Sequence, residues 1–292
     1  MRDAMPKQLF TTLVLDPTRM VLGLWSRREL IWQFTHRNIE LRHRGSRLGA
    51  FWALLNPLSM LALYFVVFGV IYEQRFNVLP NESVFDFSLA LFLGLALFHA
   101  FSETLAWAPG VIVANPNFVK KVVFPLEVLP VAHMGATAFH LLVSLGLILL
   151  GSAFGTAGLS LSVLWLPILM LPLLLLSLGV AWALAAVGVF VRDIAQVIAF
   201  FSTALLFASA VMYPPAKILS ALQNQPPQVQ AALELLLHNP LLQLIDLARR
   251  VVLWHQPMPF DALGRIYLVS FALFGLGAVL FSLLRKSFAE VI

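Results

Sequence analysis

The chain has 292 residues, 60% of them hydrophobic and 11% charged, with a formal net charge of +5 and no cysteine. Soluble domains average about 45–50% apolar and about 25% charged residues, so this composition excludes a soluble globular protein and leaves a polytopic membrane protein. Disulfides and thiolate metal sites are excluded. The basic residues flank apolar runs, as membrane topology requires, and do not form a nucleic-acid-binding patch.

Residues 1–26 lack a secretory signal pattern. Their apolar patches are short, broken by Asp16, Pro17 and Arg19, and followed by no small-residue cleavage site. Ser26 with Glu29 three positions on has capping-box spacing and predicts a helix over 26–44. Leu30, Ile31, Phe34 and Leu41 gather on one side of it, Arg27, Arg37 and Arg44 on another. Such a basic amphipathic helix is expected along the cytoplasmic membrane surface, either as a topological anchor or as a docking element for a cytoplasmic partner.

The first span, 52–71, is 20 uncharged residues, enough to cross a core of about 30 Å. The second, 87–107, carries Glu103 near its far end. Asn115 is then expected to cap a short helix, with Pro116 at its first position and Pro125 stopping it. Phe118, Val119, Val122 and Val123 alternate there with Lys120 and Lys121, too apolar a mixture for a solvated loop. Between Glu127 and Arg192 lie 64 residues with no charge. One helix of that length would measure about 96 Å, roughly three hydrocarbon thicknesses, so the stretch must fold back. Gly155-Thr156-Ala157-Gly158 is the natural turn, giving spans over 129–154 and 161–191.

A fifth span is expected over 194–213, ending at Pro214-Pro215, and a sixth over 266–284. Between them, Pro226-Pro227 and Asn239-Pro240 divide residues 214–265 into helical pieces too interrupted to span. Leu241, Leu244, Ile245, Ala248 and Val252 share one face of the second piece, with Asp246, Arg249 and Arg250 largely away from it. These pieces are expected on, or dipping into, the outer leaflet, as a structural roof or a gate. Six spans put both termini on one side. That side holds fourteen Lys and Arg residues against five opposite, which places both termini in the cytoplasm. The whole chain reads as one transmembrane domain over 1–292, with 1–47 a cytoplasmic segment and 48–292 the six-span core.

Little catalytic chemistry is present. There is no Gly-x-x-x-x-Gly-Lys-Ser/Thr loop and no His-Glu-x-x-His pair, so nucleotide and metal chemistry find no motif. His133 and His140 lie two turns apart on one face of span three; two neutral packing histidines are favoured over a metal or proton site. Glu103 is the only acid inside a predicted span, a candidate functional group that can also simply reach water or an arginine. Trp52, Tyr64, Phe68, Tyr72, Phe200, Phe201, Phe207 and Tyr213 are candidates for an aromatic-lined path, because ring faces stack on sugars without fixed charge. Lipid-facing or packing roles are the alternative for each.

Four stretches resemble one family. They are RNIELRHRGSRLGAFWALLNP at 37–57, NPNFVKKVVFPLEVLP at 115–130, VRDI at 191–194 followed by MYPP at 212–215, and HNPLLQLIDLARRVVL at 238–253. They are similar to the membrane permeases of ATP-binding-cassette exporters that carry cell-surface polysaccharides such as O-antigen and teichoic acid. The resemblance implies a homodimer in the bacterial inner membrane with two separate ATPase subunits, which would bind the ATP and magnesium, and no cofactor or metal in this chain. Trp32, Arg37, Arg44, Asn117, Phe118, Lys120, Lys121 and Phe124 would meet the ATPase. Residues 219–254 would form an external gate, with Leu241, Leu244, Ile245 and Trp254 in it. The implied substrate is a glycan on a polyprenyl diphosphate lipid, O-antigen foremost, whose diphosphate Arg42, Arg44 and Arg47 would meet near the inner leaflet. A lipid or drug exporter of the same plan is the runner-up. A membrane glycosyltransferase would want in-span carboxylates that this chain nearly lacks.

Overall fold

A computed structural model describes residues 16–43, 45–120, 124–222 and 225–292, and every regular element among them is a helix. Helix α1 (Asp16–Ser26) leads through Arg27 into α2 (Arg28–His43). Then come α3 (Trp52–Tyr64), prolonged by a π-helical stretch at Phe65–Ile71, and α4 (Val84–Trp107). The short α5 (Pro116–Val119) precedes α6 (Val128–Ser152), α7 (Leu166–Phe190) and α8 (Ile194–Ala208). Next are α9 (Pro215–Leu222), α10 (Pro227–Leu237) and α11 (Pro240–Ala248), the last extended by a π-helical turn at Arg249–Leu253. The long α12 (Phe260–Leu284) and the terminal α13 (Phe288–Val291) complete the chain.

Among the described residues, five segments are long and apolar enough to cross a membrane: Trp52–Ile71, Val84–Gly110, Val128–Ser152, Leu161–Phe190 and Phe260–Val291. They match predicted spans one, two, three, four and six. Predicted span five falls on a shorter apolar helix. Helix α8 has 15 residues, which at 1.5 Å each reach about 22 Å and fall short of a hydrocarbon core of roughly 30 Å. It ends where Ala210 turns to a φ of 50°, a left-handed conformation that α-helix cannot continue through.

Helix α4 is the hub, buried nearly throughout and packed against α3, α6, α7, α8 and α11. Its start is set by a capping box in which Ser83 and Asp86 bond each other's backbone N–H groups. Asp86 also accepts from the Thr156 backbone N–H at 2.8 Å and from its hydroxyl, so the predicted turn between spans three and four is tied to the start of α4. Helices α7 and α12 touch backbone to backbone: a Cβ on Gly277 would overlap the carbonyl of Gly179. Small residues at such crossings substitute close van der Waals packing for the missing hydrophobic drive between helices in lipid.

Helix α1, absent from the sequence reading, covers one end of the bundle. Its Met20 is buried with Ile112, Trp182, Phe281 and Phe288. The expected capping box of α2 is not formed; the Ser26 hydroxyl donates back to the Gly23 carbonyl at 2.8 Å, because Ser26 ends α1 and does not begin α2. Helices α3 and α8, like the shorter α10, contain no buried residue, so α3 and α8 leave uncovered sides on the bundle.

Candidate functional site

Three clusters form where the sequence placed functional residues. The first joins α2 to the segment around α5. Phe34 lies edge-on to Phe118 at 5.5 Å and near Phe124 at 5.7 Å, while Phe118 and Phe124 stack at 4.3 Å. The Arg37 guanidinium sits 4.3 Å over the Phe34 ring. Aromatic pairs and a cation over a ring each add on the order of 0.5–1.5 kcal/mol, so the trio fixes α2 against this segment. Trp32, Asn117 and Lys120 project exposed around it. Arg44 and Lys121 lie outside the described residues.

Helix α2 packs on α6. Its buried face is Thr35 and Asn38, whereas Leu41 is 49% exposed. The reason is a notch in α6: a Cβ on Gly135 would lie 2.6 Å from the Thr35 hydroxyl, which donates to the Ala132 carbonyl at 3.3 Å. Asn115 takes the expected N-cap position of α5 with Pro116 next, but without a side-chain cap bond; its amide donates instead to the Val111 carbonyl at 2.9 Å.

Directly behind this platform, the buried carboxylate of Glu127 pairs with Arg27 and, at 3.3 Å, with Arg285. Its carbonyl accepts from Trp182 Nε1 at 3.4 Å. One acid thus ties the α1–α2 junction, the start of α6, the middle of α7 and the end of α12. Sequence reading used Glu127 only to bound an uncharged stretch.

The second cluster is a groove walled by α3, α4 and α6. Arg42 forms an ion pair with Glu103, and the Thr137 hydroxyl donates to Glu103 at 2.9 Å. Burial pulls the Arg42 guanidinium below its ordinary pKa. The groove has 630 Å³ beside Arg42, Ser46, Trp52, Asn56, His140 and Ser144, with Trp52 Nε1 donating to Ser46 at 2.8 Å. Arg47 is exposed and does not line it. His133 stacks on Trp107 at 5.0 Å while His140 faces the groove, and no group of three His, Cys, Asp or Glu side chains converges among the described residues.

Residues 29–224 match the ABC-2 type transporter family, two thirds of the chain. The chain belongs to that family. It is 29% identical over 275 residues to the O-antigen export system permease protein RfbA of Myxococcus xanthus, covering 94% of this chain and 99% of that protein. An O-antigen export system permease protein RfbA of Klebsiella pneumoniae is 22% identical over 265 residues, 90% of this chain and 95% of its own. The polysialic acid transport protein KpsM of Escherichia coli is 28% identical over 218 residues, 74% of this chain and 78% of its own.

The third cluster of this ABC-2 protein lies beyond the family match. Leu241, Leu244, Ile245 and Trp254 are all buried, so α11 is embedded in the bundle against α4, α7 and α12. Arg249, read from sequence as lying away from the apolar face, is buried at 1% exposure. Its Nε donates to the Ala90 carbonyl and Nη1 to that of Ala210, both at 2.8 Å, and Nη2 donates to Val211. The guanidinium stands 4.6 Å over Phe76, and a Cβ on Gly94 would collide with it. The early end of α8 leaves carbonyls without helical partners, and the arginine fork satisfies them. Its neighbour Arg250 pairs instead with Asp246 at 2.8 Å.

The candidate path aromatics fall into separate groups. Tyr64, Phe68 and Tyr72 form a ladder on span one with centroids 6.1 and 5.9 Å apart. On α8, Phe200 and Phe207 are exposed, and Phe201 lines a 270 Å³ apolar cavity with Phe101 and Leu241. The Tyr213 hydroxyl donates to the Phe207 carbonyl at 2.5 Å. No ring contact joins the two groups among the described residues, and Trp52 stands apart at the groove mouth.

Proposed function

We propose that this chain is the permease subunit of an ATP-driven exporter moving a polyprenyl-diphosphate-linked cell-surface polysaccharide, O-antigen foremost, across the bacterial inner membrane. The supporting observation is its near end-to-end likeness to O-antigen export permeases, 94% of this chain against 99% of one of them. The chain has no phosphate-cradling loop of its own, so a separate ATPase must supply the energy.

In this reading α8 is the fifth of six crossings and both termini face the cytoplasm, as the fourteen-to-five basic split requires. The shortness of α8 is made up by the turn at 209–213 that Arg249 seals. Two copies meet through the uncovered sides of α3 and α8, which supports a path bordered by the Tyr64–Phe68–Tyr72 ladder of each and by Phe200 and Phe207. ATPase movement is received by Trp32, Arg37, Arg44, Asn117, Phe118, Lys120, Lys121 and Phe124. Because Phe34 packs on Phe118 and Phe124, α2 and the α5 segment move as one lever. Helix α11 is a re-entrant element at the outer end, and Leu241, Leu244, Ile245 and Trp254 close the path when packed on α4.

The test is removal of the gene from its native host. The expected result is loss of surface glycan with accumulation of lipid-linked glycan inside, restored by the intact gene. Normal surface glycan in the deletion strain, with an altered phospholipid or drug-efflux profile, would overturn this reading in favour of a lipid or drug exporter.

A further inference from the structure

Behind α8 lies a slot of 270 Å³ whose long walls are Leu176, Val180 and Leu184 of α7 and Ile198, Phe201 and Leu205 of α8. Each triplet recurs at three- or four-residue spacing, so it forms one stripe of its helix. From Leu176 to Leu184 the helix rises about 12 Å, and 270 Å³ over that length is about 22 Å² in section, one hydrocarbon chain wide. Phe201 lines the slot yet is 50% exposed, so the space opens sideways past α8.

Water finds no partner in the slot. Its one polar lining residue, Asn239, spends its amide on the Ala208 carbonyl at 3.1 Å and the Ser209 hydroxyl at 3.2 Å, and its oxygen accepts from the Leu241 N–H at 3.0 Å. A buried water needs several polar partners, and apolar cavities of about 150 Å³ stay dry and take up apolar guests. Left empty, the slot forfeits dispersion contacts along both stripes. Between spanning helices the hydrocarbon at hand is an acyl chain of the bilayer. Asn239, Pro240 and Leu241 shut the far end, so the depth suits part of an acyl chain and not a long polyisoprenoid.

The near end lies by the turn from α7 to α8, within the VRDI stretch, to which the exporter reading gives no role. Arg192 and Asp193 are exposed there, and neither side chain forms an ion pair or hydrogen bond among the described residues. Asp193 makes no cap bond although it occupies the N-cap of α8. Opposite charges side by side, both idle, are the complement of a zwitterion: phosphate oxygens suit the guanidinium and a primary ammonium suits the carboxylate. Arg192 precedes Ile198 by six residues, about 9 Å along α8, which sets a headgroup at the turn and its chain in the slot.

We infer that one phosphatidylethanolamine lodges here, its phosphate on Arg192, its ammonium on Asp193 and one acyl chain in the slot. The chain gives α8 the inward packing that it lacks from protein, since no residue of α8 is buried. The lipid thereby sets how far α8 stands from α7 and α12.

The full chain, purified in detergent, is titrated with phosphatidylethanolamine and retained lipid is counted by native mass spectrometry. One lipid per chain is expected to resist dilution, and to raise the thermal midpoint more than phosphatidylcholine does. Val180→Phe fills the slot from α7 and Leu205→Trp from α8; each should abolish the retained lipid while keeping the lipid-free midpoint of the intact chain or exceeding it. Arg192→Gln should raise the half-saturating lipid concentration about tenfold, the loss of one charge-assisted contact. Asp193→Asn should bind phosphatidylethanolamine no better than phosphatidylcholine. Retention unchanged by a folded filling variant would put the lipid on the outer surface and overturn the slot, and a midpoint no higher with phosphatidylethanolamine than with phosphatidylcholine would overturn the wedge behind α8. Equal retention of phosphatidylglycerol would overturn the zwitterion, and stronger retention of undecaprenyl phosphate would overturn the phospholipid. None of these outcomes depends on what the chain exports, so the exporter reading stands or falls separately.

Discussion

The Nε of Arg249 donates to the carbonyl of Ala90 at 2.8 Å, across 159 residues of sequence, and so binds the end of α11 to the hub of the bundle. The same guanidinium binds the turn that follows α8 through the carbonyls of Ala210 and Val211. The long α4, the turn after α8 and the embedded α11 are therefore held by one side chain.

Replacing that side chain is expected to loosen all three. Arg249→Met keeps the length but strands three carbonyl acceptors, each costing about 1–3 kcal/mol when buried without a donor. Thermal unfolding of the purified protein in nanodiscs should shift down by several degrees, and Arg249→Lys should recover less than half of the loss because it lacks the fork. An unchanged midpoint in the Met variant would show that water already serves those carbonyls. Gly94→Ala should mimic part of the defect, since its methyl group occupies the guanidinium's place.

Glu127 makes a second sharp expectation. Removing one partner from a buried ion pair costs about 3–5 kcal/mol, since the remaining charge is left uncompensated. Glu127→Ala should accordingly destabilise the chain more than Arg27→Ala or Arg285→Ala, because it strands two guanidinium groups at once. Combining Glu127→Ala with Arg285→Ala should cost less than the sum of the two, and urea or thermal unfolding of the four-membered cycle measures the difference. Strict additivity would mean the pair is screened by water.

The long crossings were legible from the sequence because hydropathy is a local property: 64 uncharged residues need no neighbours to be recognised. The residues that clamp the bundle were not. Glu127 and Arg249 look like ordinary flanking charges, and only partners 100 and 159 positions away make them buried. The short α8 escaped because the apolar run continues through Val211 and Met212 after the helix has turned at Ala210. The buried face of α2 was not legible, since Thr35 and Asn38 are polar and the Gly135 notch that receives Thr35 lies on a helix 100 residues on. Trp32, Arg37, Phe118 and Lys120 were picked out by resemblance, and the Phe34–Phe118 contact brings their two segments together.

That contact yields a prediction for the platform. Lys120→Glu with Lys121→Glu should weaken association with the ATPase while leaving membrane insertion normal, because Lys120 is exposed and bears no part of the packing. Phe118→Ala should weaken association as well, though by releasing α2 from the α5 segment. Co-purification with a tagged ATPase separates the two: the defect of the lysine variant should deepen at low salt, where repulsion by the introduced carboxylates is less screened, and that of the phenylalanine variant should not. Full co-purification of the lysine variant would remove docking from this surface.

The ladder on span one is the last point of test. Tyr64, Phe68 and Tyr72 follow one another at four-residue spacing and stack along one stripe; Tyr64 and Phe68 are only partly buried at the margin of the core, and Tyr72 is exposed. Truncating Tyr64 and Phe68 together to alanine should therefore leave the folded amount in the membrane near that of the intact chain. Surface glycan should fall severalfold if the rings border the path, since each sugar passing along the stripe loses a stacking face. Quantifying surface polysaccharide against membrane-inserted protein distinguishes the outcomes. Glycan and protein falling in step would make the stripe a packing surface between two copies of the chain, and equal export by the double variant would mean the rings face lipid.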